Sequence, residues 1–269
     1  MTIIHKILFK QFIFTRTVGD ACPYKIPPNF VRWQNFKREI FPLRTNPIDN
    51  FKERHNIMNK KEELYKRYPE LQVCEADIDR ALELMIETYE KGGKILLCGN
   101  GGSCSDAQHI VGELMKGFLL KRPMTAAQKN AFANALGEEE AEAFASRLQR
   151  GLPAISLDGA NALFTAYAND ADADYVYAQA VFGYGKPEDL LIGISTSGNS
   201  KNVVLAMKAA KALGLRGIAL TGAKESKLSA LSTVTIRVPD TETFKIQELH
   251  LPVYHYLCAA VEETFFGEE

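Results

Sequence analysis

Four stretches of the chain bring together residue types able to do chemistry. The first is Gly99-Asn100-Gly101-Gly102-Ser103, set between a short apolar run and a helical pattern. Small residues let the backbone approach an anion, and the N-terminus of the next helix offers unpaired N–H groups. The stretch is neither a dinucleotide-binding nor a Walker pattern, and a plain tight turn explains it equally well. The second is Ser195-Thr196-Ser197-Gly198-Asn199-Ser200, again ahead of a helix. Hydroxyls and N–H groups there make a phosphate cradle that needs no cationic side chain. An N-cap needs one hydroxyl and contributes about 1 kcal/mol; four hydroxyls at one turn favour phosphate. The third is His109 with Glu113, whose spacing puts both on one helix face. They would be an imidazole ligand and a carboxylate, a base and its partner, or a plain surface pair. The fourth is Gln247, Glu248, His250 and His255 on the last helical segment. One of the two histidines there is expected to be structural, and spacing does not say which. Asn169-Asp170, in YANDADAD, is a polar pair suited to sugar hydroxyls or to an Asx turn.

The elements that must position these residues follow from periodicity. Residues 59–68 are polar and helical in character. Residues 75–90 carry Ile78, Leu82, Met85 and Ile86 at helical spacing, and Gly92-Gly93 ends that helix. The runs at 94–99, 153–157, 189–194, 216–220 and 233–238 are short and apolar, as buried parallel strands are. Helices are expected at 104–118, 173–182, 200–213, 224–231 and 242–265, with Pro252 kinking the last one or starting another. Alternation of this kind means βαβ units, a parallel sheet and helices on both faces. Ligands bind such sheets at the carboxyl ends of the strands. Residues 121–150 break the cycle and read as an inserted helical hairpin around Gly137, peripheral or, alternatively, a lid over the site.

Composition removes several classes. The chain has 269 residues, 46% of them hydrophobic and 24% charged, with a formal net charge of −1, as in ordinary globular proteins. The near-neutral balance argues against a nucleic-acid partner, and no apolar run reaches the ~20 residues of a membrane span. Five scattered cysteines (Cys22, Cys74, Cys98, Cys104, Cys258) make no disulfide framework and suit a reducing cytoplasm.

The total charge hides an asymmetry. Residues 1–57 hold ten basic and four acidic residues, five of the eleven prolines and the only tryptophan; the remainder holds 22 basic and 29 acidic residues. Lys6 and Lys10 break the apolar core a signal peptide needs, while a transit peptide is an alternative. Residues 1–57 are expected to be a disordered or loosely packed extension. A start of the working protein at Met58 is a further reading, since Lys52-Glu53 can be encoded by a purine-rich ribosome-binding sequence.

GNGGSCSDAQHIVGEL (99–114), LLIGISTSGNSKNVVLAMKAAKALGLRGIALTG (190–222) and IRVPDTETFKIQELHLPVYH (236–255) together resemble the sugar-isomerase (SIS) domain family. Within it they are most similar to the isomerases of seven-carbon sugar phosphates. The likeness covers most of 60–265 apart from 121–150. It implies a flavodoxin-like three-layer αβα sandwich, a cytoplasmic homotetramer and active sites at subunit interfaces. The implied reaction converts sedoheptulose 7-phosphate to D-glycero-D-manno-heptose 7-phosphate through an enediol, for activated-heptose biosynthesis. Asn100, Gly101, Gly102 and Ser103 would contact substrate, Asn169 and Asp170 its hydroxyls, and Ser195, Thr196, Ser197 and Ser200 its phosphate. Glu113 matches the catalytic carboxylate and His255 the catalytic histidine. His109, Glu113, Gln247 and His255 match the positions that hold zinc in metal-carrying members. Phe244 stands where the family usually has an acid, and Pro252 is unusual. The alternatives are an isomerase of another sugar phosphate, or a non-catalytic member that senses a sugar phosphate or binds a protein partner.

Overall fold

Apolar residues that alternate along five short strands divide the protein into two cores. The computed structural model describes residues 51–267. Its strands are β1 (Ile95–Cys98), β2 (Ala154–Ser156), β3 (Leu190–Ile194), β4 (Arg216–Thr221) and β5 (Val234–Arg237). They form one sheet in the order β2-β1-β3-β4-β5, every neighbouring pair parallel. This is the flavodoxin-like doubly wound order. Ile95, Leu97, Leu190, Ile192 and Ile218 enter one core. Leu96, Cys98, Leu191 and Ala219 enter the other. A period of two thus buries both faces of the sheet.

The helices are α1 (Phe51–Arg67), α2 (Glu75–Glu90), α3 (Gly102–Met115), α4 (Ala126–Leu136), α5 (Glu138–Ala145), α6 (Asn161–Tyr167), α7 (Val176–Tyr184), α8 (Lys201–Ala212) and α9 (Thr243–Phe266). Apolar residues of α1, α2, α3 and α9 close the first core, and those of α6, α7 and α8 the second. Among the described residues no helix is long and apolar enough to cross a membrane. The hairpin expected at 121–150 is α4 and α5, turning at Gly137 with φ +94°. A Thr125–Gln128 capping box starts it, and the Phe132 and Phe144 rings, 5.1 Å apart, close it.

Other expectations are corrected. Residues 1–50 lie outside the described residues, but no break follows residue 57, because α1 runs through it. Ile57 packs on the first core. Asn56 Nδ2 donates to Glu263 Oε1 at 2.7 Å, and Lys60 pairs with Glu263 Oε2 at 2.8 Å. Residues 224–231 form turns, not a helix. There Ser229 Oγ donates to the Ser226 carbonyl, and each serine hydroxyl accepts from the other's backbone N–H, the local bonding that competes with helix. Pro252 does not start a new helix; α9 is continuous through it, with Pro252 itself buried in the packing. Helix α6 and the π-helical turn Ala168–Asp172 after it were not expected.

Helices α3 and α9 lie side by side and run in the same direction. His109 meets Tyr254 at a sequence separation of 145, and Phe118 meets Glu262 at 144. Where the pair ends, Glu262 and Arg122 form a fully buried ion pair, Arg122 Nε to Glu262 Oε1 at 2.7 Å. The carboxylate also accepts from the N–H groups of Phe118, Leu119 and Leu120 at 2.8, 2.7 and 3.1 Å. The guanidinium donates to the carbonyls of Leu114 at 2.6 Å and Glu113 at 3.0 Å. It thereby answers two of the orphan acceptors at the end of α3. We predict that Glu262→Gln, which leaves the Arg122 charge buried and unpaired, lowers unfolding free energy by about 3 kcal/mol or more. Urea denaturation checks this; an unchanged midpoint would show that the pair does not hold this end of the fold.

Candidate active site

The strand order reverses between β1 and β3, which puts the loops leaving their carboxyl ends beside one another. That crevice is where open α/β sheets bind ligands. The loop from β1 is Gly99 to Ser103, and the loop from β3 is Ser195 to Ser200. Gly101 has φ +56°, a conformation that favours glycine. A Cβ on Gly102 would run into the Gln247 side-chain amide, so the first loop and α9 touch there. In the second loop Gly198 has φ +63°, and a Cβ there would collide with Ser226.

The hydroxyls of this second loop are not used for capping. Ser200 is the N-cap residue of α8, yet its side chain makes no capping bond. Its Oγ lies 2.9 Å from Ser195 Oγ, while Ser195 is buried. Thr196 contributes its carbonyl to the Gly222 N–H at 2.9 Å, and Ser197 Oγ accepts from the Asn199 N–H at 3.2 Å. The glycine loop is joined to the first turn of α8, directly after the serine loop, by a reciprocal amide pair, each Nδ2 of Asn100 and Asn202 donating to the other's Oδ1 at 2.9 Å. The Val203 N–H also donates to Asn202 Oδ1 at 3.0 Å, which fixes which way this amide faces.

The imidazole cluster lies further along the α3–α9 pair. His109 Nε2 is 3.1 Å from Glu113 Oε1, and His109 Nδ1 is 3.0 Å from the Tyr254 hydroxyl. The hydroxyl donates to Asp106 Oδ1 at 3.2 Å. Burial raises the Asp106 carboxyl above its usual range, and this hydrogen bond opposes the rise. The His255 ring packs edge-on to His109 at 5.0 Å and to Tyr254 at 5.1 Å, with Phe118 at 5.6 Å. Burial, and next the neighbouring His109, hold His255 below the usual histidine range. Three buried atoms here have no hydrogen-bond partner, His255 Nε2, Asp106 Oδ2 and Glu113 Oε2; Lys116 Nζ is 3.6 Å from the last. An open cavity of about 420 Å³ reaches His255 from the α1 side, between Lys60, Arg67, Tyr68 and Pro252. Neither the glycine loop nor the serine loop lines it.

Unpartnered His255 Nε2 and Glu113 Oε2, with His109 Nε2 close by, offer the mixed nitrogen and oxygen donors that zinc accepts. In that respect the residues fit the metal that the family resemblance implies. The fit is one of donor chemistry, since no three His, Cys, Asp or Glu side chains converge on a metal position among the described residues. Gln247 lies by Gly102 rather than in the imidazole cluster.

The structure therefore joins Asn100 to the start of the helix that follows the Ser195–Ser200 loop and joins His109 to Glu113 and His255. Asn169 and Asp170 bond to each other at 2.8 Å, and no hydrogen bond ties them to either loop among the described residues. They occupy the π-helical turn, and the Asx-type cap is made by Asp172 instead, whose Oδ1 accepts from Asp174 N at 2.8 Å. Phe244 is exposed, with Lys245 Nζ 5.7 Å from its ring centre. Asp106, Tyr254 and Asn202 were missed in the sequence. Asp106 had a signal, three residues before His109 on the same helix face; Tyr254 and Asn202 act across elements and had none.

A doubly wound parallel sheet with two small-residue loops meeting at its switch point defines a ligand-binding α/β protein of the flavodoxin-like class. The chain belongs to the SIS domain family, whose sequence model matches residues 62–143 and 131–222. A phosphoheptose isomerase of Helicobacter pylori (strain P12) is 40% identical over 205 residues, 76% of this chain and 91% of that protein. One from Akkermansia muciniphila is 35% identical over 191 residues, 71% and 87% of the respective chains. Among solved structures, a phosphoheptose isomerase from Neisseria gonorrhoeae matches with a TM-score of 0.57 and 31% identity, over 77% of this chain and 94% of that one.

The structure also separates the two histidines of α9. His255 belongs to the cluster and borders the open cavity. His250 is fully buried, 3.3 Å from the Thr221 carbonyl at the end of β4, and burial pushes it down to about 4. The folded protein thus resists protonating His250 while the unfolded chain takes a proton near pH 6.5. Stability from this group is intact above pH 6.5 and falls as pH drops toward 4, by on the order of 3 kcal/mol. We predict that His250→Gln, which cannot titrate, loses less stability than wild type between pH 7 and 4 in urea melts. Parallel losses in the two proteins would remove His250 as a source of acid sensitivity.

Proposed function

We propose that the protein is an aldose–ketose isomerase of a seven-carbon sugar phosphate, converting sedoheptulose 7-phosphate to D-glycero-D-manno-heptose 7-phosphate for activated-heptose biosynthesis. The observation that carries the chemistry is the pair of buried, unpartnered atoms Glu113 Oε2 and His255 Nε2, on adjoining helices that also meet at the glycine loop. A carboxylate oxygen that accepts no hydrogen bond, with only the Lys116 ammonium 3.6 Å away, is available to take a proton. The phosphate would rest on Ser195, Thr196, Ser197 and Ser200. Asn100, Gly101, Gly102, Ser103 and Gln247 would hold the reacting end, and Asn169 and Asp170 the other hydroxyls.

In this reading Glu113 takes the proton from C1 as O2 gains one, which gives the 1,2-enediol. Return of a proton to C2, with loss of the O1 proton, leaves the C1 aldehyde. His255 moves the protons among the oxygens. His109, Glu113 and His255 would hold zinc, which when bound would polarise the carbonyl as a Lewis acid; Gln247, the fourth position of the family's ligand set, stands beside Gly102. The same reading places the enzyme in the cytoplasm as a homotetramer with sites at subunit interfaces. It needs no nucleic-acid or membrane partner. The similarity to phosphoheptose isomerases supports it.

The test is turnover of sedoheptulose 7-phosphate by the full chain, followed by NMR, with zinc and with chelator. We predict that Glu113→Gln cuts the rate at least ~100-fold with an unchanged melting temperature. Near-normal turnover in that variant would remove Glu113 as the base. Binding of the sugar phosphate by wild type without turnover would overturn the assigned reaction.

A further inference from the structure

The Tyr254 hydroxyl lies between Asp106 and the inner nitrogen of His109, and one hydroxyl has one proton to give. We propose that Tyr254, backed by Asp106, is a positioning residue that fixes which nitrogen of His109 carries the proton. The proposal rests on the isomerase reading only for what His109 does in turnover.

The hydroxyl proton goes to Asp106 Oδ1 at 3.2 Å, since a carboxylate only accepts. The oxygen therefore turns a lone pair toward His109 Nδ1, 3.0 Å away, and Nδ1–H donates to it. Glu113 Oε1, 3.1 Å from Nε2, also only accepts, and a neutral imidazole has a single N–H. With Nδ1–H given to the hydroxyl, Nε2 faces that carboxylate bare, so Tyr254 with Asp106 competes against Glu113 for the tautomer. Two acceptors at that distance hold a place for a shared proton or a cation. The opposite tautomer would donate Nε2–H to Glu113 Oε1 and leave Oε2 as the one open oxygen of the proposed base. The hydroxyl of Tyr254 thus keeps Oε1 open as well as Oε2. Outer partners fix metal-binding imidazoles in the same way, and the arrangement serves either use of His109.

The ring orientation does not depend on the hydroxyl. Tyr254 is buried and packs edge-to-face on His109 at 5.5 Å and on His255 at 5.1 Å. Tyr254→Phe keeps those contacts and removes only the oxygen. Asp106→Asn tests the other end: its amide can donate to the tyrosine oxygen, which frees the hydroxyl to turn toward Nδ1.

The experiment is NMR of the metal-free, histidine-labelled full chain at a pH where the imidazoles are neutral, with His109 assigned by difference from His109→Asn. Wild type should show Nδ1–H, and both Tyr254→Phe and Asp106→Asn should shift His109 toward Nε2–H. Calorimetric zinc titration of Tyr254→Phe should show binding 10- to 100-fold weaker, and kcat should fall with little change in KM. An Nε2–H tautomer in wild type, or an unaltered Nδ1–H in Tyr254→Phe, would overturn the proposal. Loss of the isomerase reading would show as absent turnover in wild type and would leave the tautomer result standing.

Discussion

A carboxylate with no access to water must have its charge answered on every side, and Glu262 organises this protein around that requirement. Its oxygens draw in three consecutive backbone N–H groups and the Arg122 guanidinium. Arg122 then turns its remaining donors to the last carbonyls of α3, including that of Glu113. The helix that carries the carboxylate of the site therefore ends where the guanidinium caps it. The same arrangement fixes Phe118 and so sets the wall against which His255 packs. Such an ion pair adds little net stability over an apolar substitute. What it supplies is registry between α3 and α9.

That registry converts two distant stretches of chain into one surface. Gly102 meets Gln247, Asp106 meets Tyr254, and His109 meets both Tyr254 and His255, at nearly constant separation along two helices that run the same way. Parallel direction follows from the topology, because α3 leaves the carboxyl end of β1 while α9 follows β5 of the same parallel sheet. The Asn100–Asn202 amide pair does the comparable work across the switch point and ties the glycine loop to the first turn of α8, where the serine loop ends.

Local structure was largely readable because burial on both faces leaves an unambiguous record in short strands. All five apolar runs became strands, and α2 spans the range its periodicity marked. The failures have particular causes. At 224–231 serine hydroxyls bond the nearby backbone and outcompete a helix. At 51–57 a polar segment is helical because Ile57 and Glu263 hold it against the core. Pro252 sits within α9 without ending it, buried beside Val253 and Tyr254. The two loops were legible as chemistry from composition and position alone. The imidazole cluster was not, because its geometry exists only once α3 lies beside α9. Nothing local at Tyr254 points to His109, and motif resemblance alone linked the histidines before the fold did.

The insertion leaves and re-enters the fold through a single seam. The Arg150 N–H donates to the Arg122 carbonyl at 2.7 Å, and both guanidinium groups stack on the Phe266 ring, at 4.6 and 4.8 Å. Everything between them is a detour whose two ends already touch. Because closing a loop costs free energy that grows only slowly with its length, a detour of this kind can lengthen, shorten or change cargo while the sheet keeps its form. The hairpin is in that sense a socket on the enzyme's exterior, where new sequence can be accommodated without renegotiating the core.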